Sequence, residues 1–150
     1  MKKILLLGTG GTIASEPHNT GLSPELSPEQ LLSFVPGISS RCRVESRSLF
    51  SVDSTNMTPS HWVRIAEAVR DAYDDFDGFV ISHGTDTMAY TAAALSYMIK
   101  GSVKPVILTG AQKPIGYDST DSKINLSDAF VCACADGMCG VNIVFNGRVI

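Results

Sequence analysis

The chain has 150 residues and a mass of about 16.0 kDa, a length typical of one domain. Hydrophobic residues make up 44% and charged residues 18%, which indicates a globular protein and excludes disordered and fibrous classes. The net charge of −3 and the isoelectric point near 5.5 give no electrostatic reason to expect nucleic acid or an anionic membrane as the main partner.

The first seven residues, MKKILLL, superficially resemble a secretory signal. Their apolar run ends after four residues at Gly8, whereas a signal needs roughly 7–15. No apolar run reaches the roughly 18 residues of a membrane span. The segment is therefore interpreted as a buried first strand, and a cytoplasmic protein is expected.

Short apolar runs and helical patterns alternate along the chain. Strands are predicted at 4–7, 79–81, 106–108 and 141–145, with a weaker one at 43–49. The first three runs lead into Gly/Thr-rich turns, and uninterrupted apolar strands of this length suit a parallel sheet that is buried on both faces. The alternation predicts a three-layer α/β/α domain with a mainly parallel sheet.

Helix signals lie between these strands. Ser27 to Gln30 forms a capping box that starts a helix ended by Pro36-Gly37, and Thr58-Pro59 starts a second helix with an apolar stripe. Further helices are predicted at about 88–99 and 121–135. Residues 15–24 are expected to be the most mobile loop, and Asn146-Gly147 predicts a hairpin turn.

Cys132, Cys134 and Cys139 form a C-x-C-x₄-C pattern, with Cys42 far away in sequence. Structural zinc sites prefer C-x₂-C pairs, and residues two apart on a helix face nearly opposite sides. Reduced cysteines that serve as small apolar side chains are therefore expected, and no metal site is predicted.

Ligands of doubly wound sheets bind beyond the carboxyl ends of the strands. There the first strand is followed by Thr12, another by Thr85 and Asp86, and a third by residues 109–111, while residues 53–56 can join them. This set is rich in hydroxyl groups and lacks a strong cation. Dinucleotide binding is disfavoured, because the third fingerprint position is Ile13 and a polar loop follows it.

A threonine can act as a nucleophile on a carbonyl group if a base and oxyanion donors assist it. Gly10 and Gly11 beside Thr12 suit such a residue, although threonine and glycine also simply form strand-to-helix turns. His83 is a general-base candidate on its chemistry, but its place after a buried strand favours a structural role. The remaining candidates are expected in a loop (His18), at a helix start (His61) and as surface charges (Lys104, Lys113, Lys123).

Four segments resemble the bacterial-type L-asparaginases, in particular the cytoplasmic type I branch. The two signature segments are LGTGGTIA at residues 7–14 and SHGTDTMAYT at residues 82–91. The supporting segments are VDSTNM at residues 52–57 and LTGAQKP at residues 108–114. The resemblance covers the whole chain and implies a Rossmann- or flavodoxin-like amino-terminal asparaginase domain over residues 1–150.

The resemblance implies hydrolysis of L-asparagine, with L-glutamine as the alternative substrate, through a covalent acyl-enzyme without a cofactor. Thr12 would be the nucleophile, and Thr85 and Asp86 would belong to a second Thr-Asp-Lys group. The implied substrate-binding residues are Gly11, Ser54, Thr55, Gly84, Thr85, Asp86 and Ala111. The full-length protein would be a homodimer or homotetramer.

Two departures from the family pattern stand out. Many relatives carry a tyrosine in the loop after the first signature, whereas no tyrosine here precedes Tyr73. The lysine of the family's second group lies shortly beyond the last hairpin, and no lysine of this chain matches it. The chain is therefore expected to be an incomplete amino-terminal domain, without the smaller second domain, and to have little activity alone.

Two alternatives remain open at this point. The truncated domain could be a non-catalytic binding or assembly module, with a hydrophobic edge that favours association. It could also belong to the asparaginase-like subunit of a tRNA-dependent amidotransferase, which shares the signature segments but usually bears an extra amino-terminal domain.

Overall fold

The fold was analysed on a computed structural model, which describes residues 1–18 and 21–150; the side chains of residues 17–18 and 22–24 are not described. The strands are β1 (Lys3–Gly10), β2 (Ser15–His18), β3 (Gly21–Pro24), β4 (Arg43–Val52), β5 (Gly78–Ser82), β6 (Pro105–Thr109), β7 (Gly140–Phe145) and β8 (Arg148–Val149). The helices are α1 (Pro28–Ser33), α2 (Pro59–Asp71), α3 (Met88–Met98) and α4 (Ser122–Cys134). Short 3-10 turns span Thr12–Ala14, Pro36–Ser40 and Ser54–Asn56.

Six strands form one sheet in the order β4-β1-β5-β6-β7-β8. The first five run parallel, and β8 pairs antiparallel with β7. The chain moves outward from β1 to β4 and then returns to β5 on the other side of β1. Strand order therefore reverses between β1 and β5, which is the position where doubly wound sheets bind ligands. The predicted α/β fold with a mainly parallel sheet is confirmed.

The sheet separates two apolar cores. Alternate residues of each strand point to opposite faces, so Leu5, Leu7 and Ile81 pack against α2 and α3, while Ile4 and Leu6 pack on the α1 and α4 side. Every residue of β5 and β6 is buried. The uninterrupted apolar runs of the sequence thus correspond to strands that are covered on both faces.

The helix boundaries follow the sequence signals. Ser27 and Gln30 form the reciprocal capping box of α1, and Thr58 with His61 forms the equivalent cap of α2. Helix α1 ends at Ser33, and Pro36 begins a 3-10 turn. At the predicted hairpin turn, Asn146 and Gly147 both have positive φ values, 51° and 69°, as a two-residue turn of type I′ requires.

Two expectations need correction. Residues 15–18 and 21–24 pair as the antiparallel strands β2 and β3, where the sequence predicted a mobile loop; residues 19 and 20 of that segment lie outside the described residues. The amides of Glu25 and Leu26 both donate to the Ala14 carbonyl, at 2.9 Å, and close the base of this hairpin. Lys104 is not a solvated charge, because its Nζ donates to the Tyr73 carbonyl and lies 4.7 Å from the centre of the Tyr73 ring.

Candidate active site

Three turns meet where strand order reverses. Thr12 begins the 3-10 turn after β1, Ser54 begins the 3-10 turn after β4, and Gly84, Thr85 and Asp86 follow β5 by way of His83. Because β1, β4 and β5 are parallel neighbours, their carboxyl ends lie side by side at one edge of the sheet. The sequence prediction that these segments come together is consistent with this arrangement.

The turns contact each other at two glycines, where any side chain would overlap the neighbouring turn. A Cβ atom on Gly11, where φ is +83°, would lie 2.5 Å from the Cα of Gly84. A Cβ atom on Gly84 would lie 2.5 Å from the Oγ of Ser54. Since real Cβ atoms do not approach other heavy atoms so closely, glycine is required at both positions. The three turns therefore form one packed unit.

A small polar cavity of about 120 Å³ opens between these turns. Two of its lining residues are carboxylates and none is a cation, so the cavity favours a ligand with a positively charged group. Thr12 is half-buried, and its hydroxyl group makes no hydrogen bond to the rest of the described chain. The lining residues are Gly11, Thr12, Ser15, Asp53, Ser54, Gly84 and Asp86.

Hydrogen bonds hold the wall formed by Asp53 and Ser54. One carboxylate oxygen of Asp53 accepts from the Thr55 amide at 2.9 Å and from the Thr55 hydroxyl at 2.8 Å. These two donors hold the pKa of Asp53 below its usual value, because they stabilise the charged form. The Thr87 hydroxyl donates to the Ser54 carbonyl at 2.8 Å, which ties the β4 turn to the β5 turn.

The predicted site residues fall into two groups. Gly11, Thr12, Ser54, Gly84 and Asp86 line the cavity, and Thr85 lies directly between two of them in the chain. The other two predicted residues do not line it: the Thr55 hydroxyl is bonded to Asp53, and Ala111 is buried in the core on the α4 side.

Ser15 lines the cavity although the sequence analysis did not single it out. Its hydroxyl donates to the Gly11 carbonyl at 2.9 Å, and it is almost fully buried. A serine four residues after a glycine carries no distinctive local signal, so only the tertiary arrangement identifies it.

The segment after β6 is held by Asn125 of α4. The Asn125 side chain donates to the Gly110 carbonyl at 2.9 Å and accepts from the Asn146 amide at 3.0 Å. The carboxylate of Asp121 accepts from the amides of Gln112 and Lys113. These bonds connect the segment that contains Ala111 to the β7–β8 turn.

The cysteines, all within the described part of the chain, form no disulfide. Burial is the main cause that raises the pKa of the Cys42 thiol to about 12, and the neighbouring Cys134 adds to it. Among the described residues, no group of three or more histidine, cysteine and acidic side chains is placed to hold a metal ion. No helix of the described chain is long and apolar enough to span a membrane.

A larger groove of about 510 Å³ lies at the carboxyl-terminal ends of α2 and α3. Its walls include Val63, Tyr73 and Met98, and it is mainly apolar. None of the described serines and threonines lines this groove, whereas Thr12 and Ser54 line the smaller cavity at the strand ends, which is therefore the better candidate for chemistry.

Comparison with known families settles the relationship of the chain. Residues 3–150 match the amino-terminal asparaginase domain. The chain belongs to the asparaginase family. It is 41% identical over 150 residues to the L-asparaginase of Thermococcus kodakarensis, which covers 99% of this chain and 45% of that protein. It is 44% identical over 134 residues to a glutamyl-tRNA(Gln) amidotransferase subunit of Saccharolobus solfataricus, over 87% of this chain and 30% of that protein.

Solved asparaginase structures share the fold. The crystal structure of L-asparaginase I from Vibrio cholerae superposes with a TM-score of 0.90 at 37% identity, over 99% of this chain and 46% of that one. The asparaginase-family chain therefore spans less than half the length of the relatives it matches.

Proposed function

We propose that this chain carries the nucleophile and the amino-acid pocket of an amidohydrolase that converts L-asparagine to L-aspartate and ammonia. The observation that carries the proposal is the cavity in which Thr12 meets Ser54 and two carboxylates. A hydroxyl nucleophile beside groups that can hold a charged amino acid is what hydrolysis of an amino-acid amide needs. Membership of the asparaginase family and 41% identity to an L-asparaginase support this reaction.

A carboxylate and a hydroxyl group of the cavity could bind the two ends of an amino acid. The exposed carboxylate of Asp86 would hold the α-ammonium group, and the Ser54 hydroxyl would donate to the α-carboxylate. Gly11 and Gly84 have no side chains, which lets the substrate approach the backbone closely. A volume of about 120 Å³ suits a small substrate.

The proposed reaction has two steps. In the first, Thr12 Oγ bonds to the side-chain amide carbon, the carbon–nitrogen bond breaks, and the nitrogen leaves as ammonia with the proton that Oγ gives up. In the second, a water oxygen bonds to the ester carbon, the bond to Thr12 Oγ breaks, and a water proton returns to Oγ. The products are L-aspartate and ammonia, and Thr85 would orient the water.

The proton carrier expected from the family resemblance is a lysine that none of the lysines in this chain matches. We therefore expect the 150-residue chain to release ammonia from L-asparagine slowly or not at all, because loss of one member of a catalytic group commonly reduces rates by several orders of magnitude. Turnover of the chain alone comparable to that of a full-length asparaginase would contradict this expectation.

The decisive experiment is a chimera in which this chain replaces the matching amino-terminal part of the Thermococcus kodakarensis L-asparaginase. We expect the chimera to release ammonia from L-asparagine, Thr12→Ala to abolish the release, and Thr12→Ser to retain part of it. Ser96→Ala is the matched control, since Ser96 is exposed on α3, its hydroxyl donates to the Ala93 carbonyl, and it does not line the cavity. Unchanged turnover in Thr12→Ala would move the nucleophile elsewhere.

A second candidate function is participation in an amidotransferase. The 44% identity to a glutamyl-tRNA(Gln) amidotransferase subunit favours it, and in that case the partners would include another protein chain. The same chimera tests this alternative with L-glutamine as substrate. Faster release of ammonia from L-glutamine than from L-asparagine would favour the amidotransferase function, and the reverse would favour the asparaginase function.

A further inference from the structure

His83 lies directly behind the candidate active site and has no exposed surface. Its amide donates to the Thr109 carbonyl at 2.8 Å, so its backbone extends the pairing of β5 with β6 by one residue. Its ring is held at both nitrogens. Nδ1 lies 2.6 Å from the Gly84 carbonyl oxygen, and Nε2 lies 2.9 Å from the hydroxyl of Thr91 on α3.

The direction of every bond in this chain of contacts follows from the donors available. A carbonyl oxygen only accepts, so Nδ1 carries the proton and donates to Gly84. The other nitrogen of the neutral ring is then an acceptor for the Thr91 hydroxyl. The indole nitrogen of Trp62 on α2 only donates, and it donates to the Thr91 oxygen at 2.9 Å. Burial lowers the pKa of His83, which is consistent with a neutral ring.

This arrangement excludes His83 as the general base for the cavity. A base needs a free lone pair within reach of the substrate, and the only lone pair on this ring is directed at Thr91. The ring packs on the α2 and α3 side of the sheet, away from the solvent. The structural role that the sequence favoured for His83 is therefore consistent with its contacts.

The hydrogen bond from His83 restrains the backbone at Gly84, which is otherwise free to rotate. Glycine backbone rotates more freely than that of any other residue, and a side chain at this position is excluded by Ser54. The peptide unit is planar, so fixing the Gly84 carbonyl oxygen also fixes the direction of the Thr85 amide in the same plane. Thr85 and Asp86 follow immediately along the chain.

We propose that His83 is a positioning residue for the active site. By donating from Nδ1 to the Gly84 carbonyl, and with Thr91 and Trp62 holding its other side, it fixes the Gly84–Thr85 peptide and thereby the placement of Thr85 and Asp86 beside Thr12. This role rests on the proposed amidohydrolase function for its consequence in catalysis, while the positioning itself is a property of the folded chain.

Two pairs of variants separate positioning from mere packing. Asparagine carries its amide nitrogen near the position of Nδ1 and can still donate to Gly84, whereas glutamine carries its amide group near the position of Nε2. We expect H83Q to lower the kcat/KM of the chimera about 10- to 100-fold, because small displacements of reacting groups have effects of this size. The kcat/KM of H83N should decrease clearly less than that of H83Q, and the kcat/KM of T91S clearly less than that of T91V.

A measurement without turnover tests the positioning directly. In ¹⁵N spectra of the 150-residue chain, the wild-type ring should show the Nδ1-protonated neutral form, and the Thr85 and Asp86 amide signals should shift more in H83Q than in H83N. An Nε2-protonated ring, or equal shifts in both variants, would overturn the proposal. Absence of turnover in the unmutated chimera would count against the proposed function and leave this spectroscopic result to decide the role of His83.

Discussion

The backbone of Gly11 rests directly on that of Gly84, and no side chain separates them. A Cβ atom on Gly11 would lie 2.5 Å from the Gly84 Cα, inside the contact distance of two carbon atoms. The nucleophile candidate Thr12 and the pair Thr85–Asp86 follow these two glycines. The distance between Thr12 and the pair Thr85–Asp86 is therefore set by packing of backbone on backbone, which is stiffer than contacts between side chains.

This contact makes both glycines sensitive to the smallest substitution. We expect Gly11→Ala and Gly84→Ala each to lower the free energy of unfolding by about 2 kcal/mol or more, because the added methyl group overlaps backbone or Ser54. Gly116→Ala is the matched control, since a Cβ atom there meets nothing within 4 Å. Urea unfolding of the three variants measures the difference, and an equal stability of Gly11→Ala and Gly116→Ala would contradict the contact.

Ser82 offers a test of an unusual buried hydroxyl. It ends β5 with no exposed surface, and among the described residues its Oγ is the one buried side-chain polar atom without a hydrogen-bond partner. We expect Ser82→Ala to keep or raise the free energy of unfolding, measured by urea denaturation, since an unsatisfied buried hydroxyl costs about 1–3 kcal/mol.

Thr109 provides the opposite case on the neighbouring strand. Its hydroxyl is equally buried and donates to the Val144 carbonyl at 2.8 Å. Thr109→Val keeps the shape and leaves that carbonyl unpaired, so we expect a loss of about 1–3 kcal/mol in the same unfolding experiments. A greater loss in Ser82→Ala than in Thr109→Val would contradict both assignments.

Asn125 should be difficult to replace. Its side chain satisfies the Gly110 carbonyl and the Asn146 amide at once, and it is almost fully buried. Asn125→Leu would leave both groups unpaired, and we expect a loss of about 2–4 kcal/mol, which is the sum expected for two such groups with partial relaxation. Thermal unfolding measures the loss; the matched control is Ser127→Ala, on the same helix and only partly buried.

The neutral state of His83 predicts a specific acid sensitivity. Its pKa in the folded chain is below the ordinary value of 6.5, so between these two pKa values the unfolded chain binds more protons than the folded chain. The contribution of the neutral His83 ring to the free energy of unfolding should therefore be complete above pH 6.5 and decrease as the pH falls below 6.5. The decrease from this group is at most about 1.4 kcal/mol per pH unit. His83→Asn should lack this component, and an identical pH profile in both proteins would contradict the prediction.

Much of the fold could be predicted because its signals are local. The apolar runs, the capping box at Ser27 and the Asn146-Gly147 turn each specify their own backbone within a few residues. The segment 15–24 was misjudged because its composition indicates a loop, whereas its strands are fixed by bonds from Glu25 and Leu26 to Ala14. Tertiary contacts of this kind override local composition.

The sequence could predict only those residues of the candidate site whose position follows from the strand topology. Thr12, Ser54 and Asp86 follow strand ends, so a rule about strand ends is enough to bring them together. Other roles at the site depend on which atoms face each other in the folded chain. These are the roles of Ser15, of the Thr87 hydroxyl and of the His83 ring. Those contacts depend on packing, which sequence spacing does not specify.

The hydrogen-bonded series from Trp62 to Gly84 has a practical consequence. Trp62 is the sole tryptophan of the chain, and its indole group is connected through Thr91 and His83 to the wall of the candidate cavity. Indole emission responds to changes in its hydrogen bonding, so the protein contains its own optical probe. If the cavity binds a small amino acid as proposed, we expect the tryptophan emission of an unlabelled sample to change as that amino acid is titrated in.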